Sequence, residues 1–191
     1  MTLTLRPARK EDSAAIARLF LISSDGLAEY IWSRVAEPGE AIAEVGARRY
    51  AREGVAFSYE NCIVAEHDGA VAGMVHGFPM EEDPGAEPES DPVLRPYGEL
   101  EDAGSLYVSG VALFPEFRGR GIGTRLMAAA TDRARTLGLP RLSLICFEGN
   151  GGAMRLYSRL GFEELARRPI VPHPTLHYGE GDAVLLACGV A

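Results

Sequence analysis

Two periods divide the chain: apolar residues alternating with polar ones mark strands, and apolar residues recurring every third or fourth position mark helices. Leu3-Thr4-Leu5 is a short strand ended by Arg6-Pro7. Asp12 is placed to cap a helix in which Ile16, Leu19 and Phe20 recur at helical spacing. A second helix fits Glu40 to Arg52, with Ile42, Val45 and Tyr50 near one side and Gly54 beyond its end. Asn61–Glu66 and Ala70–Gly77 are strands, and the Asp68-Gly69 between them is a strong hairpin signal.

Next come an irregular segment and a β-rich run, Ser105 to Leu113. A helix from about Gly121 to Leu137 carries the stripe Ile122, Leu126, Ala130, Ala134 and Leu137, and Gly138 closes it. Arg141 to Phe147 is a strand, and Gly151 to Leu160 is a short helix with Ala153, Leu156, Tyr157 and Leu160 on one stripe and Gly161 after it. Phe162–Ala166 and Ala183–Cys188 complete the set as strands. This order predicts a mixed α/β domain: a central sheet of six to seven strands with helices on both faces, spanning residues 1–191 as one domain.

Charge changes the picture in one place. The net charge is −8, yet the segment Pro79–Ala103 holds nine acids and one base, which leaves eighteen of each sign elsewhere. That segment also holds five of the twelve prolines, so it reads as an irregular surface loop with room for a short helix. Between Phe117 and Leu160 the sign reverses, with eight arginines against Asp132 and Glu148. A basic half in an acidic protein favours a small polyanion as ligand and disfavours a nucleic acid, which the overall field repels. Cys62, Cys146 and Cys188 are odd in number and far apart, a pattern of buried packing rather than of disulfides or a zinc site. No run approaches about 18 apolar residues, and the stretch Met1–Pro7 lacks the order of a signal peptide, so the chain reads as cytoplasmic with no membrane partner.

The chemistry concentrates in Arg118-Gly119-Arg120-Gly121-Ile122-Gly123, a glycine-rich turn between a strand and a helix. The first amides of a helix lack internal acceptors and its dipole favours negative charge there, so such a turn is a ready anion site. Glycines let backbone approach a phosphate closely, and Arg118, Arg120 and Arg125 add charge-assisted bonds. The spacing G-x-G-x-G differs from the G-x-G-x-x-G of a dinucleotide fold, and the Gly-Lys-Ser/Thr ending of a Walker loop is missing. A tight turn needing glycines only for its shape is the competing reading.

This turn matches the [Arg/Gln]-x-x-Gly-x-[Gly/Ala] signature of the GNAT N-acetyltransferase superfamily. The strand Val111-Ala112-Leu113-Phe114-Pro115 before it and the segment Asn150 to Phe162, with its Asn, Ala, Leu-Tyr and Gly-Phe at the family's intervals, resemble it too. The resemblance is specific over Ser105–Phe162. It implies a GNAT-like fold and an acetyl-CoA-dependent N-acetyltransferase. The amides of Gly119, Arg120, Gly121, Ile122, Gly123 and Thr124 would hold the pyrophosphate of coenzyme A, with Arg118 beside them. Val111, Ala112 and Leu113 would pair with the pantetheine amides, and Asn150 would bond the pantetheine arm or cap the last helix. Tyr157 would be the acid that protonates the departing thiolate.

Many family members place a Glu early on the strand before the phosphate turn; this chain has Tyr107 there, then Ser109. A phenol with a pKa near ~10 is a poor base at neutral pH, which leaves a relay to Glu66, to His76 or to an acid of the 79–103 loop. His173 and His177 are separated by Pro174 and lack flanking acids, so no metal site is expected. With no Ser or Cys constellation for covalent catalysis, acyl donor and amine are expected to bind together. The acceptor is expected to be an amine-bearing small molecule or peptide, a cationic one if the acidic loop attracts it. A non-catalytic acyl-CoA-binding module or sensor, and an acyltransferase using another acyl-CoA, stay open as alternatives, as do monomer and homodimer.

Overall fold

A computed structural model describes residues 3–85 and 87–190; Met1 and Thr2, which opened the N-terminal reading, lie outside it with Ala86 and Ala191. The elements in order are β1 (Leu3–Pro7), α1 (Ser13–Ser23), α2 (Leu27–Ser33), α3 (Ile42–Tyr50), β2 (Cys62–His67) and β3 (Ala70–Pro79). Then follow α4 (Arg95–Gly98), β4 (Leu106–Leu113), α5 (Ile122–Thr136), β5 (Arg141–Phe147), α6 (Gly151–Arg159), β6 (Glu163–Pro169) and β7 (Asp182–Gly189). The strands form one mixed sheet in the order β1-β2-β3-β4-β5-β7-β6. Only the β4–β5 pairing among those registered is parallel, at Leu106↔Leu142 and Tyr107↔Ser143, and α5 lies between these strands in sequence, as a parallel connection requires. The chain separates into two compact units, Met1–Phe78 with Gly110–Ala130 and Pro79–Ser109 with Thr131–Ala191.

In the first unit β1, β2 and β3 are antiparallel, and Asp68 and Gly69 both take positive φ, +49° and +84°, to make the expected two-residue hairpin turn. Ile16, Leu19 and Phe20 of α1, Trp32 of α2, Val45 and Tyr50 of α3, Val64 of β2 and Met74 of β3 form its core. Each such aliphatic side chain contributes about 1.5–3 kcal/mol by leaving water. The helix α2 was not expected, because only Ala28 and Trp32 are buried on it and two positions make no visible stripe. Gly46 lets α3 close on this core: a Cβ there would overlap the Trp32 ring and come within 2.9 Å of Ala17.

Asp12 occupies the cap position of α1, but its carboxylate does not bond the helix amides. It accepts instead from the Arg6 guanidinium (2.7 and 3.1 Å) and the Arg9 amide (2.7 Å). Burial pushes its carboxyl up, and those donors outweigh burial and hold it below the usual range. The cation was out of reach of a local reading because Arg6 belongs to β1.

The second unit sets β7 between β5 and β6, antiparallel to both. Leu142, Leu144, Val184 and Leu186 are buried there. The acidic segment contributes Val93 (6% exposed) and Leu100 (1% exposed) to the buried set, so it is more than a solvated loop, and α4 is its short helix. Leu137, expected on the buried stripe of α5, is 48% exposed. The helix has ended by then: Gly138 takes φ +70° and the Leu139 amide turns back to Ala134 (2.9 Å). The stripe on α6 is half-buried, with no fully buried residue.

Candidate active site

Leaving β4, the chain makes a short 3-10 turn at Pro115–Phe117 and reaches Gly119 and Gly121, whose φ angles of +74° and +72° only glycine adopts without strain. Ile122 is 2% exposed and anchors the start of α5. The Arg125 amide makes the bond back to Gly121 (3.2 Å), which leaves the amides of Ile122, Gly123 and Thr124 ahead of the repeating pattern. Gly123 differs from its neighbours. It lies in the helix and needs no positive φ, yet a Cβ added there meets nothing within 4 Å. Glycine in a helix costs about 1 kcal/mol against alanine. Neither backbone shape nor packing accounts for a glycine here, and the space beside it is open to the close approach of a ligand.

The charges around the turn point the same way. Arg118 and Arg120 bond backbone carbonyls, of Leu113 (3.4 Å) and Glu116 (2.9 Å), and Arg120 lies over the Phe117 ring. Among the described residues Arg118, Arg120 and Arg125 make no ion pair, whereas Arg6 and Arg48 of the same unit hold carboxylates. A pyrophosphate fits this donor set: orphan amides, open glycines and arginines without acid partners. Immediately upstream, Val111 and Leu113 are half-buried while Ala112 faces the core (7% exposed), the alternation a strand imposes.

The remaining predicted residues belong to the second unit. Asn150 is the N-cap of α6, its Oδ1 accepting from the Ala153 amide at 3.1 Å, so the capping role is realised. Tyr157 is half-buried on α6, its ring 5.6 Å from that of Phe162. Cys146 is buried in β5 with its thiol toward the Phe147 carbonyl, a packing position. At Tyr107, burial first and the charge of Glu101 second push the phenol well above its usual value, so it stays protonated at neutral pH.

Two of the relays considered for the base are engaged elsewhere. Glu66 accepts from Arg6 at 2.7 Å. His76 is fully buried among Phe20, Tyr50, Phe57 and Phe78, its Nε2 3.0 Å from the Ala56 carbonyl and its Nδ1 3.4 Å from the Tyr50 hydroxyl. His173 Nδ1 lies 2.9 Å from Thr175 Oγ1, and among the described residues no three His, Cys, Asp or Glu converge as a metal site would need. A shallow cavity of about 270 Å³ in the second unit is lined by Pro92, Arg95, Pro96, Glu99, Arg168 and Pro169. No motif announces it, since its residues come from distant stretches.

The sequence profile described as the acetyltransferase (GNAT) family matches residues 28–162. The chain therefore belongs to the GNAT acetyltransferase family. A mycothiol acetyltransferase of Parafrankia sp. is 35% identical over 130 residues, covering 62% of this chain and 38% of that protein. A ribosomal protein bS18 alanine N-acetyltransferase of Salmonella typhimurium is 33% identical over 81 residues, 42% of this chain and 53% of that protein. The matched region thus spans little more than half of these curated relatives at most. A crystal structure of an acetyltransferase superposes with a TM-score of 0.67 at 25% identity, covering 98% of this chain and all of its own. The Salmonella typhimurium protein yncA, solved with its cofactor acetyl-CoA, shares the fold at a TM-score of 0.64 and 20% identity, covering 100% of this chain and 95% of its own. Among the described residues no helix is long and apolar enough to cross a membrane.

Proposed function

We propose that this chain transfers an acetyl group from acetyl-CoA to a primary amine on a small molecule or peptide, with both substrates bound at once. The observation that carries the reading is Gly123, a glycine that neither backbone conformation nor packing demands, set among orphan amides and arginines without acid partners. Relatives named as N-acetyltransferases and a fold neighbour solved with acetyl-CoA support the same donor and an amine acceptor.

When bound, acetyl-CoA supplies an activated thioester. The amides of Gly119 to Thr124 would hold its pyrophosphate, with Arg118 and Arg120 compensating the charge. Val111, Ala112 and Leu113 would offer backbone groups to the pantetheine arm, in the manner of an added strand. Tyr157 would place a proton on its phenol oxygen for delivery to the leaving thiol sulfur. The packing position of Cys146 supports direct transfer to the amine over a covalent acyl-enzyme.

Calorimetric titration with acetyl-CoA, comparing the native chain with Gly121→Glu, tests the reading. The glutamate places a negative charge in the anion site and a side chain at φ +72°. The native chain should bind, and the variant should lose at least about 100-fold in affinity with circular dichroism unchanged. An amine panel then asks for turnover. Absence of binding by the native chain overturns the proposal; tight binding without turnover on any amine makes the chain an acyl-CoA-binding module instead.

A further inference from the structure

β6 is an outer strand of the sheet, paired with β7 on one side and with no other strand among the described residues. Such a strand presents a row of unpaired backbone N–H and C=O groups, a template for another strand unless its side chains forbid it. We propose that this edge joins a second copy of this chain, the two β6 strands running antiparallel across a two-fold axis at Ala166.

The side chains select the partner. A two-fold axis through an antiparallel strand pair sets one residue opposite its own copy, and each flanking position opposite the one equally far on the other side. In the string Glu163-Glu164-Leu165-Ala166-Arg167-Arg168 that symmetry is hidden, because six residues have no central one. The pairing with β7 reveals it. Glu163 and Glu164 lie against Ala187 and Leu186, and the next position, Leu185, meets Ala166, so Leu165 bulges out of the ladder. The five ladder positions are then Glu163, Glu164, Ala166, Arg167 and Arg168, acids before the centre and bases after it. An antiparallel copy centred on Ala166 sets Glu164 of each chain opposite Arg167 of the other, and Glu163 opposite Arg168. Opposite charges placed directly across a strand pair stabilise it. Ala166, the smallest side chain of the strand, is the one that meets its own copy, where a charged residue would repel itself.

The bonds already made within one chain are compatible with this pairing. With Leu165 out of the ladder, Glu164 and Arg167 share a face, and Arg167 Nη2 reaches Glu164 Oε2 at 2.7 Å. Two copies complete a square of alternating charges in which no existing pair has to break, and a network gains where an isolated surface pair gains little. On the other face Glu163 is exposed and makes no ion pair among the described residues. Arg168 uses Nε on Glu99 (2.7 Å) and Nη1 on the Arg167 carbonyl (2.9 Å), and its Nη2 makes no bond among the described residues. Leu165, next to the axis, is 52% exposed, apolar area that a docked copy can cover. β1, the strand at the opposite edge, offers nothing comparable: its one charge, Arg6, is held by Asp12 and Glu66. Pairing occupies the β6 edge of both copies, so the assembly closes as a dimer.

Sedimentation velocity over a concentration series tests it. Five ladder positions bury less than the roughly 1,200 Å² of a stable interface, so the native chain should dimerise weakly, with a dissociation constant on the order of 10 to 100 µM. A variant with Arg167→Glu and Arg168→Glu carries only acids along the edge, and one with Glu163→Arg and Glu164→Arg only bases. Each alone should associate at least about 10-fold more weakly than the native chain, with circular dichroism unchanged, and an equimolar mixture should regain native affinity or better. A second measurement does not depend on charge. Directly opposed antiparallel residues have Cα atoms about 4.5–5.5 Å apart, within the span of a disulfide. Ala166→Cys should therefore cross-link two chains under diamide, which takes up the two thiol hydrogens, far faster than Leu137→Cys, equally accessible at the end of α5. A native chain that stays monomeric throughout the series overturns the proposal. So does a dimer that both charge variants leave intact, a mixture of folded variants that fails to associate, or an Ala166→Cys chain that cross-links no faster than Leu137→Cys.

Discussion

The first unit contains two sets of glycines that look alike in sequence and do opposite things. At Gly46, Gly73 and Gly110 an added Cβ would run into Trp32, into Leu113 and the Ala112 carbonyl, and into Ser23 Oγ respectively. At Gly119, Gly121 and Gly123 it would meet nothing within 4 Å. The first set is required by what the protein holds inside; in the second, positive φ accounts for Gly119 and Gly121, and Gly123 is the one that only the proposed ligand would require. Glycine content alone cannot separate them; the neighbours of the missing Cβ can. Stability and cofactor affinity should therefore respond to the two sets independently.

The strongest way to break this comparison is at Gly46. Gly46→Ala forces a methyl into Trp32 and Ala17 and should destabilise the fold by about 1–3 kcal/mol, read as a lower denaturant midpoint. Any preparation that stays folded should bind acetyl-CoA with native affinity. A loss of affinity larger than the folded fraction explains would tie Gly46 to the ligand and erase the distinction.

Next in size is Asp12→Asn, which probes how firmly the core side of this unit is fastened. It removes the charge that accepts from Arg6 and Arg9, and hydrogen bonds to charged groups are worth about 1.5–3 kcal/mol. The sign follows from the lowered pKa of Asp12. A carboxyl held below its unfolded value, near ~3.9, stabilises above that value and loses its contribution as pH falls through the folded one. The stability gap between native chain and variant should therefore be full at neutral pH and shrink below about pH 4. A gap independent of pH would place the effect in packing instead of charge.

Gly123→Ala is the complementary probe on the open side. Alanine is the better helix former by about 1 kcal/mol, so the thermal midpoint should hold or rise. On the proposed reading the methyl would stand where the ligand approaches, and acetyl-CoA affinity should fall about 10-fold. A variant both more stable and fully competent in binding would mean that Gly123 is not ligand-facing.

Local patterns made much of this legible before any coordinates. β5 falls where alternation puts it, Arg141 to Phe147, and the anion turn is written in three closely spaced glycines. What stayed hidden is non-local. The pairing of Asp12 with Arg6 joins a helix to a strand, and the insertion of β7 between β5 and β6 is a matter of topology that no local period records. Val93 and Leu100 were masked by the charge around them.

Asn150 carries the smallest expected effect and extends the comparison to the second unit, where one residue was assigned both an inside and an outside role. Its Oδ1 caps α6 through the Ala153 amide, so Asn150→Ala should cost about 1 kcal/mol of stability. Asn150→Asp and Asn150→Ser keep a cap acceptor and should restore most of that loss, but neither keeps the amide donor. If the side chain only caps, acetyl-CoA affinity in both should be native. If its nitrogen also bonds the pantetheine arm, both should bind several-fold more weakly at native stability, and calorimetry beside thermal denaturation on the same preparations separates the two roles.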